Sequence, residues 1–248
     1  AHFMQKKVIA KAPKAHYPAP YALIDLWKKH AGQPKTMMQE EAKSVAKLVM
    51  GSTAKNLIRV FFLREKLKSL AKPNDHYTFE KAQHVHVIGT GIMGADIAAW
   101  CALRGLHVTI QDRHEQSIAN ALQRAHKLFK KKLRDPRLIT ATMDRLLPDM
   151  EGRGIAKADV IIEAIIENVE AKRELYQQLE PKMKAGALLT TNTSSIPLET
   201  LSQALINPGR LVGLHFFNPV AQMPLIEIVT SEQTDEKEAA RATAFAGQ

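Results

Sequence analysis

Cysteine is all but missing from this sequence: Cys101 stands alone among 248 residues. A single thiol excludes an internal disulfide and any cysteine-built zinc site within the chain, and it fits a reducing compartment, with cytoplasm as the default. Long apolar runs are missing too. Nothing reaches the roughly 18 residues of a membrane-spanning helix, and the opening AHFMQKKVIA lacks the apolar stretch of a secretory signal. The chain opens on Ala1 instead of Met, which reads as an internal fragment or a trimmed chain. What is present is ample apolar material: 45% hydrophobic residues suffice for one sizeable core, or a core domain with an appendage.

The net charge of +10 divides unevenly along the chain. Of 35 Lys and Arg and 25 Asp and Glu, residues 1–82 carry 16 and 6, leaving 19 of each for the remainder. Helical lysines of this kind form a solvated surface, or a face for nucleic acid, an anionic membrane or a phosphorylated ligand. No nucleic-acid-binding motif accompanies them, so nucleic acid is not expected as a partner; membrane contact by the basic helices stays open.

Residues 1–82 read as an all-α segment. After the proline-punctuated KAPKAHYPAPYA, Leu23, Ile24, Leu26 and Trp27 mark a short helix. Thr36 and Gln39 form a capping-box pattern before the stripe Ala42, Val45, Ala46, Leu48 and Val49. A third helix opens at Ser52, with Leu57, Val60, Phe61, Leu63 and Leu67 spaced for one buried face. AKPNDHYTFEKAQ reads as a linker. From residue 83 the pattern changes to alternating strands and helices, which predicts an α/β unit with a mostly parallel sheet covered on both faces. A short edge strand is expected near Arg145 to Met150, because Pro148 cannot donate to a central ladder.

VHVIGTGIMG places Gly89, Gly91 and Gly94 in the spacing G-x-G-x-x-G between a strand and a helix. Asp112 follows at the end of the second strand. The first glycine permits the tight turn, the second lets the backbone approach a pyrophosphate, and the third lets helix and strand pack closely. A carboxylate at Asp112 accepts from ribose hydroxyls and repels a 2′-phosphate, which favours NAD over NADP. FAD and S-adenosylmethionine sites share parts of this pattern and stay open at this point.

Ligands of open α/β sheets bind at the carboxyl ends of the strands, which selects AIIENVEAK, TNTSS and HFFNP. Glu163, bracketed by VII and AII, needs a partner or a polar cleft, since a lone buried carboxylate is costly. Glu167 and Lys172 serve a site or decorate a helix start. Ser194 and Ser195 cap a helix, or orient a substrate oxygen. His215 ends an apolar strand, and Glu227 arrives in a second apolar run from which a carboxylate reaches back to the ring; a histidine so held is a general base of controlled tautomer.

VIGTGIMG, Asp112, VIIEAIIEN with Lys172, TTNTSSIPL and GLHFFNPVAQMPLIEIV resemble, in order and spacing, the NAD-binding domain of L-3-hydroxyacyl-CoA dehydrogenases, over residues 83–248. YPAPYALIDLW and EEAKSVAKLVMGSTAKNLIRVFFLREKLK look like the C-terminal helices of an enoyl-CoA hydratase domain and the linker helix of multifunctional β-oxidation enzymes. The resemblance implies a Rossmann-type doubly wound sheet after the helical segment. It implies His215 as the base, Glu227 as its paired acid, and Ser194 on the substrate's 3-oxygen. It places Gly89, Gly91, Met93 and Gly94 in the cofactor loop, Asp112 on the adenosine ribose, and Glu167, Lys172, Ser194 and Asn218 around the nicotinamide half. An acyl-CoA substrate and a thiolase subunit as partner are implied as well. The family's C-terminal helical domain and its active-site asparagine are absent from these residues, as are the hydratase glutamates, so the chain is expected to bind NAD but to turn over poorly. Two other classes compete: a nucleotide-binding module without catalysis, and an interaction segment built on the basic helices.

Overall fold

The computed structural model describes residues 2–70 and 77–248. The chain forms two compact units, the first ending at Leu70. Part of the expected linker, residues 71–76, lies outside the described residues.

The first unit is four helices: α1 (His2–Lys11), α2 (Pro18–His30), α3 (Pro34–Val49) and α4 (Ser52–Leu70). Among the described residues, its buried side chains are Tyr21, Ile24 and Leu26 of α2. Pro34, with φ already fixed for a helix, starts α3, so Thr36 falls inside the first turn and caps nothing. The single buried face expected for α4 does not form: Leu57, Val60, Phe61, Leu63 and Leu67 are all exposed. Ile58, Phe62 and Leu70 spread the apolar residues round the helix among Lys55, Arg59, Arg64, Glu65, Lys66 and Lys68, so no one face is apolar enough to bury.

In the second unit β1 (His84–Ile88), α5 (Ile92–Leu103), β2 (His107–Gln111) and α6 (Glu115–Lys132) lie where the hydrophobic pattern puts them. A helix not expected, α7 (Pro136–Met143), precedes the short strand β3 (Leu146–Pro148); Asp135 caps it by accepting from Arg137 N, with Pro136 at its first position. Then follow β4 (Val160–Glu163), α8 (Val169–Leu179), β5 (Leu188–Thr191), α9 (Leu198–Ser202), β6 (Leu211–Phe216), β7 (Ile226–Val229) and α10 (Glu236–Gly247). The sheet order is β3-β2-β1-β4-β5-β6-β7, parallel except for β7. β3 is an edge strand, as Pro148 requires. One apolar cluster holds Ile97, Ala98, Phe129 and Ala242 from α5, α6 and α10; the other holds Tyr176, Leu179 and Leu201 from α8 and α9. Both faces are thus covered, and the strand order reverses between β1 and β4, where such sheets open a crevice. Residues ahead of β1 pack with this unit: Gln248 bonds both N–H and C=O of Ala82. Cys101 is buried in the first cluster, and burial pushes its thiol up to about 12.

A histidine chain runs through the sheet between β1 and β2. Thr109 Oγ1 lies 2.7 Å from His86 Nδ1 and 2.9 Å from His84 Nε2, and His86 Nε2 lies 3.0 Å from Gln111 Oε1. The amide oxygen only accepts, so Nε2 carries the proton and Nδ1 accepts from Thr109; the ring fits this place in its neutral form. Burial lowers the affinity of His86 for a second proton, which Gln111 and Asp149 oppose and His84 reinforces. His84 is lowered too, chiefly by burial, which a hydrogen bond to the Lys157 backbone and the Asp159 charge oppose and the charges of His107 and Lys157 reinforce. The unfolded chain therefore takes up protons at higher pH than the folded one, so stability is full above about pH 6.5 and falls as the pH drops below it. Thermal unfolding should show a midpoint that declines from pH 7 to 5.5, with a smaller decline in His86→Gln; equal declines would remove His86 from the account.

Candidate active site

The crevice at the carboxyl ends of β1 and β4 is built first by backbone. Gly89 adopts φ +93°, a left-handed conformation, and its N–H donates to Gln111 O at 2.8 Å. A Cβ there would lie 2.5 Å from Ala164 O, and one at Gly94 would run into Gly89 O. These two glycines close the turn and seat α5 on the sheet. Gly91, at the start of α5, is different: a Cβ would meet nothing within 4 Å. Its environment is an open cradle beside the first amides of α5, which have no intrahelical acceptors and favour an anion. Met93 sits in the same turn, with its side chain partly buried against the core.

Asp112 braces that loop. Its Oδ2 accepts from Thr90 N and Thr90 Oγ1, both at 2.8 Å, and its Oδ1 from His114 N at 3.1 Å. Burial works against the charge, but these donors outweigh it and hold the carboxyl below its usual range. A carboxylate has about four lone-pair sites, so capacity remains for a ribose hydroxyl. The residues thus fit a dinucleotide, with an open cradle at Gly91 and an ionised acceptor at Asp112.

Beyond β4 lies a buried charge network. Glu163 and Lys172 are both fully buried, with Lys172 Nζ 2.7 Å from Glu163 Oε1. Glu163 also accepts from Ile165 N at 2.7 Å, Tyr176 Oη at 2.8 Å and Thr191 Oγ1 at 2.7 Å. Burial and the adjoining Glu163 charge push the Tyr176 phenol well above its ordinary value. Lys172 Nζ lies 3.5 Å from Glu167 Oε2. Glu167 accepts from Thr193 Oγ1 at 2.9 Å and Ser194 N at 2.8 Å, with Ser194 Oγ longer at 3.3 Å. Burial opposes ionisation of Glu167, but the Ser194 amide, the Thr193 hydroxyl and Lys172 hold its carboxyl low. Lys172, which the resemblance sets near the nicotinamide, has its ammonium enclosed between two carboxylates. Tyr176 and Thr191 escaped the sequence reading; the signal for Tyr176 was its position four residues after Lys172, on the same helix face.

His215 and Glu227 are directly opposed across β6 and β7, with Nδ1 2.9 Å from Glu227 Oε2. The ring also packs on Phe217, centroids 4.7 Å apart. Asn192 Oδ1 accepts from Phe216 N at 2.9 Å and so ties the loop after β5 to the end of β6. Asn218 is exposed in the loop that follows, ahead of Pro219. No cluster of three or more metal-ligating side chains exists among the described residues.

A parallel sheet reversing at β1 and β4, a glycine turn open to a pyrophosphate and an ionised aspartate after β2 define a Rossmann-type dinucleotide-binding domain. A carboxylate-held histidine stands at the end of β6. The chain belongs to the 3-hydroxyacyl-CoA dehydrogenase NAD-binding domain family, whose model matches residues 84–248. It is similar to the fatty acid oxidation complex subunit alpha of Ectopseudomonas oleovorans, at 35% identity over 97% of this chain and 34% of that protein, and equally to that of Pseudomonas entomophila. It spans about a third of the length of these curated relatives. Among solved structures, 3-hydroxybutyryl-CoA dehydrogenase from Escherichia coli matches with a TM-score of 0.64 at 34% identity, covering 68% of this chain and 37% of that one. (S)-3-hydroxybutyryl-CoA dehydrogenase from Ralstonia eutropha matches with 0.63 at 27% identity, covering 67% and 60%.

Proposed function

We propose that this chain carries the NAD-binding and proton-transferring half of a reversible L-3-hydroxyacyl-CoA dehydrogenase, with acyl-CoA as its substrate class. The observation that carries the proposal is the His215–Glu227 pair. Nδ1–H donating to the carboxylate leaves Nε2 as the acceptor, which is the tautomer a base needs. NAD, when bound, supplies the hydride acceptor. Gly89, Gly91, Met93 and Gly94 form its phosphate turn, Asp112 takes the adenosine ribose, and Glu167, Lys172 and Asn218 shape the nicotinamide side. His215 Nε2 takes the proton of the 3-hydroxyl. Ser194 Oγ, held to Glu167 by only a 3.3 Å bond, is free to exchange that bond for the substrate's 3-oxygen.

A thiolase subunit is the proposed partner. No described helix is long and apolar enough to cross a membrane, and cytoplasm is the proposed location.

Fluorescence titration tests the cofactor assignment. NADH should bind at least about tenfold more tightly than NADPH, because Asp112 repels the 2′-phosphate, and Asp112→Asn should weaken NADH and narrow that gap. Equal affinity for both nucleotides in the wild type would reject the role given to Asp112.

A further inference from the structure

We infer that Glu163 is a positioning residue for the Thr193–Ser194 loop, and through that loop for the nicotinamide half of the cofactor. The inference rests on the reading in the preceding subsection. Glu163 is fully buried, and its carboxylate accepts four donors: Lys172 Nζ, Ile165 N, Tyr176 Oη and Thr191 Oγ1. A carboxylate offers about four lone-pair sites, so none is left for a ligand, and Glu163 acts only through the groups that bond it.

Two of those groups lead on to the loop. Lys172 reaches from Glu163 toward Glu167, and Glu167 in turn accepts from the Thr193 hydroxyl and the Ser194 amide. Thr191 uses its proton on Glu163 at 2.7 Å, and its oxygen then accepts the Thr193 N–H at 3.3 Å. A third tether is in the backbone, where Glu163 O accepts from Asn192 N at 2.8 Å. The other two donors, Ile165 N and Tyr176, fix the carboxylate itself. A buried ion pair is a weak device for stability, since apolar replacement of both partners is often neutral. What this one supplies is a fixed origin from which side chains on α8 and β5 hold one loop from two sides.

Thr191 is the point at which to test it, because valine keeps its shape and serine keeps its hydroxyl. NADH and ADP-ribose, which lacks the nicotinamide ring, are titrated against the whole chain. Thr191→Val should weaken NADH about tenfold, the worth of roughly one buried hydrogen bond, with ADP-ribose within about twofold of wild type. Thr191→Ser should restore NADH affinity. Unchanged NADH affinity in Thr191→Val, an equal loss of both ligands, or a Thr191→Ser protein as weak as the valine variant would each overturn the proposal. Should Thr191→Val fail to fold, Tyr176→Phe is read by the same ratio: NADH weakened about threefold against ADP-ribose supports it, and a wild-type ratio overturns it. A wild type that binds neither ligand would overturn the underlying cofactor reading, which separates that failure from this one.

Discussion

Gly94→Ala is expected to abolish measurable NADH binding and to destabilise the chain by about 1–3 kcal/mol or more, as urea unfolding would show. Its Cβ would collide with Gly89 O, a backbone atom that cannot step aside without opening the turn. The same substitution three residues earlier should behave differently. A Cβ on Gly91 meets nothing in the protein, so Gly91→Ala should fold with stability within about 1 kcal/mol of wild type. It should nevertheless bind NADH at least about tenfold more weakly, because the methyl group takes the space kept for the pyrophosphate. Wild-type affinity in Gly91→Ala would mean that the pyrophosphate does not approach at that point.

Lys172→Met should cost about 3–5 kcal/mol in urea unfolding, among the largest single effects in the chain, because it strands the Glu163 charge with no cation. Methionine fills much the same volume, so the loss would be electrostatic and not a cavity. Lys130→Met on the exposed basic run of α6 is the control, expected within about 0.5 kcal/mol of wild type. A comparable loss in both would show that the Lys172 network has no special weight.

The opening of the sheet unit was legible because its signals agree. VHVIG, the glycine turn, the apolar α5 and HVTIQD each state one conformation, and α6 then runs over Glu115–Lys132. β4 was less so. ADVIIEAIIE is apolar almost throughout, and periodicity alone does not say that pairing stops at Glu163 and leaves Ile166 72% exposed in the loop. α7 carried its Asp135 and Pro136 start signals, yet eight residues next to a weak strand did not stand out. In α4 an apolar spacing was read as one face when the apolar residues surround the helix. The site shows the same division. Asp112 and the glycines follow from local sequence, and His215 with Glu227 from two apolar runs close in the chain. Glu163's carboxylate raised the right question, but its answer lies in Tyr176 and Thr191, which only the packing of α8 and β5 brings to it. His86 stayed hidden for a similar reason, since an alternating strand does not reveal that Thr109 and Gln111 will satisfy its ring.

Acetoacetyl-CoA-dependent oxidation of NADH, followed in wild type and His215→Ala alongside NADH affinity, tests the central claim most directly. The wild-type chain should turn over slowly, and His215→Ala should fall at least about a hundredfold further while its NADH affinity stays within about threefold. Turnover unaffected by the substitution, or NADH binding lost together with turnover, would contradict the assignment of His215 as the base.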